Sequence, residues 1–219
     1  SIDNLQITTK EIKINDIIKL LRVFQNSPQL FILDTIIKDG LVTANVNLNF
    51  DKNGTIKENY KIKGSIKKAK LNILNQIKLK NFDFNFDINK NIYSLKQINV
   101  KLNNIKLTSP LIEIKKKKDS FFVNGQFLNN KKNFDIEEIK PIFDYLSKDI
   151  DIKKIEFSST NSFSFNINKN LRFNNIKVES IVDLDQLIFN QKNFKIKKYL
   201  PSFIKEINLK KHKVVINYN

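Results

Sequence analysis

The 219-residue chain has no cysteine, no methionine and no tryptophan, four glycines, four prolines and one histidine. Without cysteine it can form no disulfide, no zinc-thiolate centre and no thiol nucleophile, and its compartment is left open. The lone His212 stands among Lys210, Lys211 and Lys213 with no nucleophile nearby in sequence, the setting of a surface histidine rather than a general base. No glycine-rich phosphate loop and no nucleophile elbow occurs. The expectation is therefore a non-enzyme that uses no cofactor. The longest apolar stretches, such as residues 30–33, fall far short of the roughly 20 residues that span a bilayer. A chain that opens at Ser1 and lacks Met is expected to be preceded by a leader, an anchor or further domains.

Arginine is nearly absent as well: of 39 basic residues only Arg22 and Arg172 are arginines, although the formal net charge is +17. Readers of nucleic acid favour arginine for two-pronged contacts to guanine and phosphate. The chain is instead rich in Lys, Asn, Ile and Phe, the bias of an AT-rich coding sequence, so the charge excess alone does not argue for a nucleic-acid partner. The acidic residues are equally uninformative. Asp149/Asp151 and Asp183/Asp185 offer only two oxygen-bearing side chains per site, too few for a divalent cation. Glu137 and Glu138 open a helix, where negative charge is favoured anyway.

What is abundant is alternation. Val42, Ala44, Val46, Leu48 and Phe50 interleave with Thr43, Asn45, Asn47 and Asn49. A period of two puts one set on each side of a strand, giving an antiparallel sheet with one apolar and one polar face. The same pattern runs through Tyr60/Ile62/Gly64/Ile66, Phe82/Phe84/Phe86/Ile88, Ile98/Val100/Leu102 and Phe163/Phe165/Ile167. With 41% hydrophobic and 28% charged residues, the chain is apolar enough to fold.

The fold class expected is mainly β, a long twisted antiparallel sheet with a few short amphipathic helices. Residues 1–40 read as a helical lead-in. Asn15 or Asp16 caps a helix over 17–24, and Ser27 and Pro28 open a second one that Gly40 ends. Residues 41–134 read as a first β module, beginning with a hairpin at Asn53-Gly54 whose return strand covers 56–66. The apolar parity switches near Lys67 and Lys68 and back near Asn81, so each place is expected to carry a bulge or tight turn. Strands follow at 92–102, 105–114 and 121–128, with Thr108, Ser109 and Pro110 as a break signal. Residues 135–150 read as a connecting helix kinked at Pro141. Residues 151–219 read as a second, partial module with strands at 153–167, 171–178, 180–189 and 213–218 and a short helix over 201–207. Residues 84–92 and 163–171 nearly repeat each other, which suggests sheet modules in an array.

The functional question is what covers the apolar face. About eight strands of ~30 Å at ~4.8 Å spacing offer roughly 1,150 Å², whereas four short helices shield only ~600 Å². Either the sheet closes on itself as a sandwich or barrel, which suits a scaffolding module with a basic exterior, or an apolar strip stays open to a partner or to lipid.

The order of helix, Gly40, long alternating strand and Asn53-Gly54 turn, then the alternating runs over residues 60–66, 82–86 and 121–127, resembles the AsmA-like envelope proteins. The similarity covers about residues 28–189 and rests on strand rhythm and on glycines followed by alternating apolar residues. The resemblance implies an open, taco-shaped β-groove that carries phospholipid acyl chains between the inner and outer membranes. It implies a periplasmic protein tethered to the inner membrane by an anchor outside this sequence and meeting other envelope proteins, with no nucleic acid involved. The lining would be Val42, Ala44, Val46, Leu48, Phe50, Phe82, Phe84, Phe86, Ile88, Val100, Leu102, Phe163, Phe165 and Ile167. The densest basic run, Lys115, Lys116, Lys117 and Lys118, would meet anionic headgroups at a hairpin tip.

Overall fold

In the computed structural model the described residues are 3–24, 31, 34–73, 77–102, 105–134, 136–137, 150–170, 172–191 and 206–219. The protein is mainly β, an antiparallel sheet of eleven strands that is not closed into a barrel. The strands are β1 (Asn4–Thr8), β2 (Ile12–Lys13), β3 (Ile37–Asn49), β4 (Lys61–Ile73), β5 (Ile77–Asn89), β6 (Ile92–Leu102), β7 (Ile105–Lys116), β8 (Ser120–Phe134), β9 (Ile150–Asn168), β10 (Phe173–Gln191) and β11 (Glu206–Tyr218). From β3 onward each strand pairs with the next, and β1 and β2 both pair with the outer edge of β3. One helix longer than a turn is described, α1 (Ile14–Phe24).

The chain forms two compact units. The first holds β1 to β7, α1, residues 120–127 of β8 and the β9–β10 hairpin end (163–177), and the second holds residues 128–162 and 178–218. The near-repeat is one local device used twice in the first unit. Residues 84–89 end β5 before the two-residue turn at Lys90 and Asn91, and residues 163–168 end β9 before its own turn. In the second unit Phe134 and Phe157 pack at 4.7 Å, and Ile155 and Leu184 are buried.

The parity switches are bulges. Lys68 has φ +55° and Asn81 φ +49°, and the β4–β5 register shifts between Ile66 and Leu71. Gly40 (φ +146°) and Gln97 (φ +54°) do the same in β3 and β6, so four consecutive strands are kinked at neighbouring levels. Each extra residue flips the side-chain alternation, so apolar residues of both parities reach one face. Pro110 belongs to this zone. Its neighbours Ser109 and Leu111 pair with Ile98 and Lys96, which flank Gln97, and a bulge is where a residue without an N–H fits. Residues 108–110 therefore lie inside β7 rather than between strands.

Several expectations are corrected. The lead-in carries β1 and β2, and α1 begins at Ile14 rather than 17. The Asn15 amide donates to the Ile37 carbonyl at 3.2 Å, tying the helix to β3 instead of capping it. Gly40 lies inside β3 and ends no helix; it is buried because Ile14 and Ala69 close over it. The return strand begins at Lys61, after a connection whose Asn53-Gly54 turn is as expected: Gly54 N–H donates to Asp51 O at 3.0 Å. Residues 173–178 and 180–189 belong to one strand, β10, held in continuous register with β11 across Glu179; residue 171 lies outside the described residues. Glu206 and Ile207 are strand, so β11 is longer than expected. Ser27, Pro28, Pro141 and residues 201–205 lie outside the described residues, as do Glu138 and Asp149.

Candidate apolar binding face

Cross-strand register places the alternating residues in rows. One row runs Ile7, Val46, Ile62, Ile88, Tyr93, Ile114 across six strands. The next runs Ala44, Gly64, Phe86, Leu95, Ile112, and another runs Ile12, Val42, Ile66, Phe84. Beyond the bulges the face continues as Leu71, Leu79, Leu102, Ile105. Directly opposed apolar side chains are the stabilising unit of a sheet.

The opposite face is polar in matching rows. Thr8, Asn45, Lys63, Asp87, Ser94 and Glu113 face one another in sequence, with Lys63 and Lys96 each 3.6 Å from the Asp87 carboxylate. Thr43 and Ser65 hydroxyls lie 2.9 Å apart, and the Asn4 amide donates to Asn47 and Asn49. Lys68 N–H, displaced by the bulge, donates to Asp83 Oδ1 at 2.6 Å. A shallow depression of about 500 Å³ opens here between Lys67, Lys68, Asp83, Asn85 and Gln97.

Two buried clusters occupy the apolar face. Under α1, Ile14 and Ile18 pack on Val42 and Ala69, with Ile66, Phe82 and Phe86 around them. Further along, Ile98, Ile112 and Val123 are buried, flanked by Phe84, Leu95, Phe127, Phe163, Phe165 and Ile167. The rings stack along this stretch, Phe127 to Phe163 at 5.6 Å and Phe163 to Phe165 at 5.9 Å.

Of the expected lining, Val42 and Val100 are buried by protein, at 8% and 3% exposure. The others, Ala44, Val46, Leu48, Phe50, Phe82, Phe84, Phe86, Ile88, Leu102, Phe163, Phe165 and Ile167, are half-buried. Phe50 stands at the hairpin margin, bridged to Ile56 rather than set in a long ladder. Ile7, Ile62, Tyr93 and Ile114 complete the longest row without having been singled out. Alternation around Ile62 was visible, but a row is a property of register, which no single strand reveals. Burial raises the Tyr93 hydroxyl above its usual range.

The lysines of the β7–β8 tip are all exposed, yet not all free. Lys115 pairs with Glu113 at 2.8 Å, and Lys117 lies 5.1 Å above the Phe122 ring. His212 is exposed and faces Leu184 across the β10–β11 ladder, Asp183 faces Lys213, and Asp151 pairs with Lys153. Among the described residues no three metal-ligating side chains gather, and no helix is long and apolar enough to cross a membrane. Comparison with protein-family models, curated proteins and solved structures finds no match for this chain.

Proposed function

We propose that the apolar face of the first unit shields hydrocarbon chains, and that the protein is a non-catalytic segment of an AsmA-like envelope protein moving phospholipid between inner and outer membranes. In this reading it works in the periplasm, held to the inner membrane by an anchor elsewhere in the polypeptide. One observation carries the reading: the Ile7, Val46, Ile62, Ile88, Tyr93, Ile114 row is apolar across six strands, about 24 Å at ordinary strand spacing, and stays partly exposed along its length. A row of that kind leaves hydrocarbon in water, and covering it with an acyl chain gains roughly 0.8 kcal/mol per methylene. The α1 helix covers the face only around Val42 and Ala69.

The mechanism needs no chemistry. An acyl chain lies across the ladder, in contact with Val46, Ile62 and Ile88, and advances by exchanging one set of methyl contacts for an equivalent one. Because dispersion and hydrophobic contacts are non-directional, successive positions differ little in free energy. The test compares lipid retained by the purified protein after Val46→Asp, Phe84→Lys and the polar-face change Asn47→Asp. Loss in the first two with retention in the third supports the reading, and equal retention in all three refutes it.

A further inference from the structure

The polar face is not uniform in its electrostatics. In the row through Asp87 no two like charges face each other: Lys63 opposes Asp87, neutral Ser94 separates Asp87 from Glu113, and Lys63 and Lys96 share the Asp87 carboxylate. At the other end of the same strands the rule is broken. Lys80 on β5 faces Lys101 on β6, and Lys101 faces Lys106 on β7. All three are exposed, and among the described residues no carboxylate pairs with any of them. Lys70 on β4 comes close to the same level but is neutralised by Asp39 at 2.9 Å.

Like charges set directly opposite one another destabilise a sheet. Three in line at ~4.8 Å intervals repel through water and are relieved by an anion that spans them. The surroundings narrow the kind of anion. The adjoining row on the other face is Leu79, Leu102, Ile105, and at this end of the sheet α1, tied to Ile37, leaves Leu20 and Val23 exposed at 58% and 79%. An end of the sheet that carries unpaired lysines on one face and, on the other, partly exposed Leu79 and Leu102 and a helix with exposed Leu20 and Val23 matches a surface with phosphates above hydrocarbon. It does not match nucleic acid, since the ladder has no arginine and no aromatic ring among its members.

We infer that the Lys80, Lys101, Lys106 ladder docks this end of the sheet onto an anionic lipid bilayer. The ladder lies on the polar face, distinct from Lys115, Lys116, Lys117 and Lys118 at the opposite end of β7, and the inference stands whether or not the apolar face carries acyl chains. Each lysine near an anionic surface contributes about fivefold to partitioning, so the three together are worth on the order of 100-fold.

Vesicle co-sedimentation at fixed, moderate salt tests this, using phosphatidylcholine vesicles with and without phosphatidylglycerol. The expected result is binding to the anionic vesicles only, reduced on the order of 100-fold in K80S/K101S/K106S. The control triple K10S/K52S/K57S removes the same charge from exposed positions and should lose less than about tenfold. K101E is the second variant: it makes the row alternate in sign, should raise thermal stability, and should still lose vesicle binding. Equal losses in both triples would reduce the effect to net charge and overturn the inference. So would binding to phosphatidylcholine alone, or loss of duplex-DNA binding in the ladder triple with vesicle binding intact. Lipid co-purification, read on the same proteins, should not change; its loss in Val46→Asp with vesicle binding intact would mark the acyl-chain reading and the docking surface as separate.

Discussion

Phe86 lies across Gly64 on the neighbouring strand, so close that a Cβ built on Gly64 would sit 2.5 Å from Phe86 Cζ and would also overlap the Thr43 carbonyl oxygen. Gly64 is needed here for space. Its strand packs a ring where a side chain would stand, and Gly125 repeats the arrangement with Phe163 at 3.1 Å. Gly64→Ala is expected to destabilise by about 3 kcal/mol, measured by urea denaturation. Phe86→Ala should not rescue it, because the clash with the Thr43 backbone remains. A double variant as stable as Phe86→Ala alone would show that the ring, and not the backbone, sets the constraint.

The bulge zone gives the second prediction. Lys68 adopts a left-handed conformation that costs a side-chain-bearing residue on the order of 1 kcal/mol, and its N–H is held by the Asp83 carboxylate. Asp83→Ala removes that acceptor and should cost about 1 kcal/mol, with Asp83→Asn milder because an amide oxygen remains. Lys68→Gly should be neutral or stabilising, whereas Lys68→Val should destabilise by more than 1 kcal/mol. Thermal midpoints of the four variants provide the check.

The third concerns acid. The Asp39 carboxyl is held below its ordinary 3.8, first by the hydrogen bond from Lys70, then by the Gly40 N–H and by the Lys70 charge. A group depressed on folding contributes stability that is present above its unfolded value and is lost as pH falls through the folded one. The contribution therefore disappears below about pH 4, and Asp39→Asn should flatten that part of the stability profile. Carboxyl chemical shifts followed by NMR titration would show the midpoint directly, and Glu58, lowered by Lys90, should move in the same direction.

Much of the fold is legible in the residue order, and the reason is physical. Alternation at 42–50 and 82–88 states which side chains share a face, and a change of parity at Lys68 and Asn81 can be absorbed only by an extra residue. The bulges at Gly40 and Gln97 were hidden for different reasons. Gly40 imitates a helix terminus, and the polar run around Gln97 masks the switch from Tyr93/Leu95 to Ile98/Val100. β1 was missed because five residues, exposed throughout, carry almost no burial signal, and their pairing with residues 45–49 is a long-range choice. The candidate face was half legible: alternation names residues that lie half-buried on it. That Val42 lies under α1, and that three lysines line up on β5, β6 and β7, depend on register and packing between segments far apart in sequence.

A fourth prediction follows from the contrast between the two buried clusters and the half-exposed row. Ile18 and Ile98 are both nearly inaccessible, at 4% and 1%, and truncation of either to Ala should cost about 2–5 kcal/mol. Val46→Ala on the half-exposed row should cost less, about 1 kcal/mol or below, since much of that side chain already meets solvent. If all three cost the same, measured by chemical denaturation, the row would be a closed core.

The central claim is that this row is covered by hydrocarbon when the protein is at work. Mass spectrometry under native conditions, on protein purified without detergent from membrane-rich cells, measures that directly. The account predicts added mass that dissociates as intact phospholipid and disappears in Val46→Asp. Bare protein in every charge state, with the wild type and Val46→Asp indistinguishable, would contradict it.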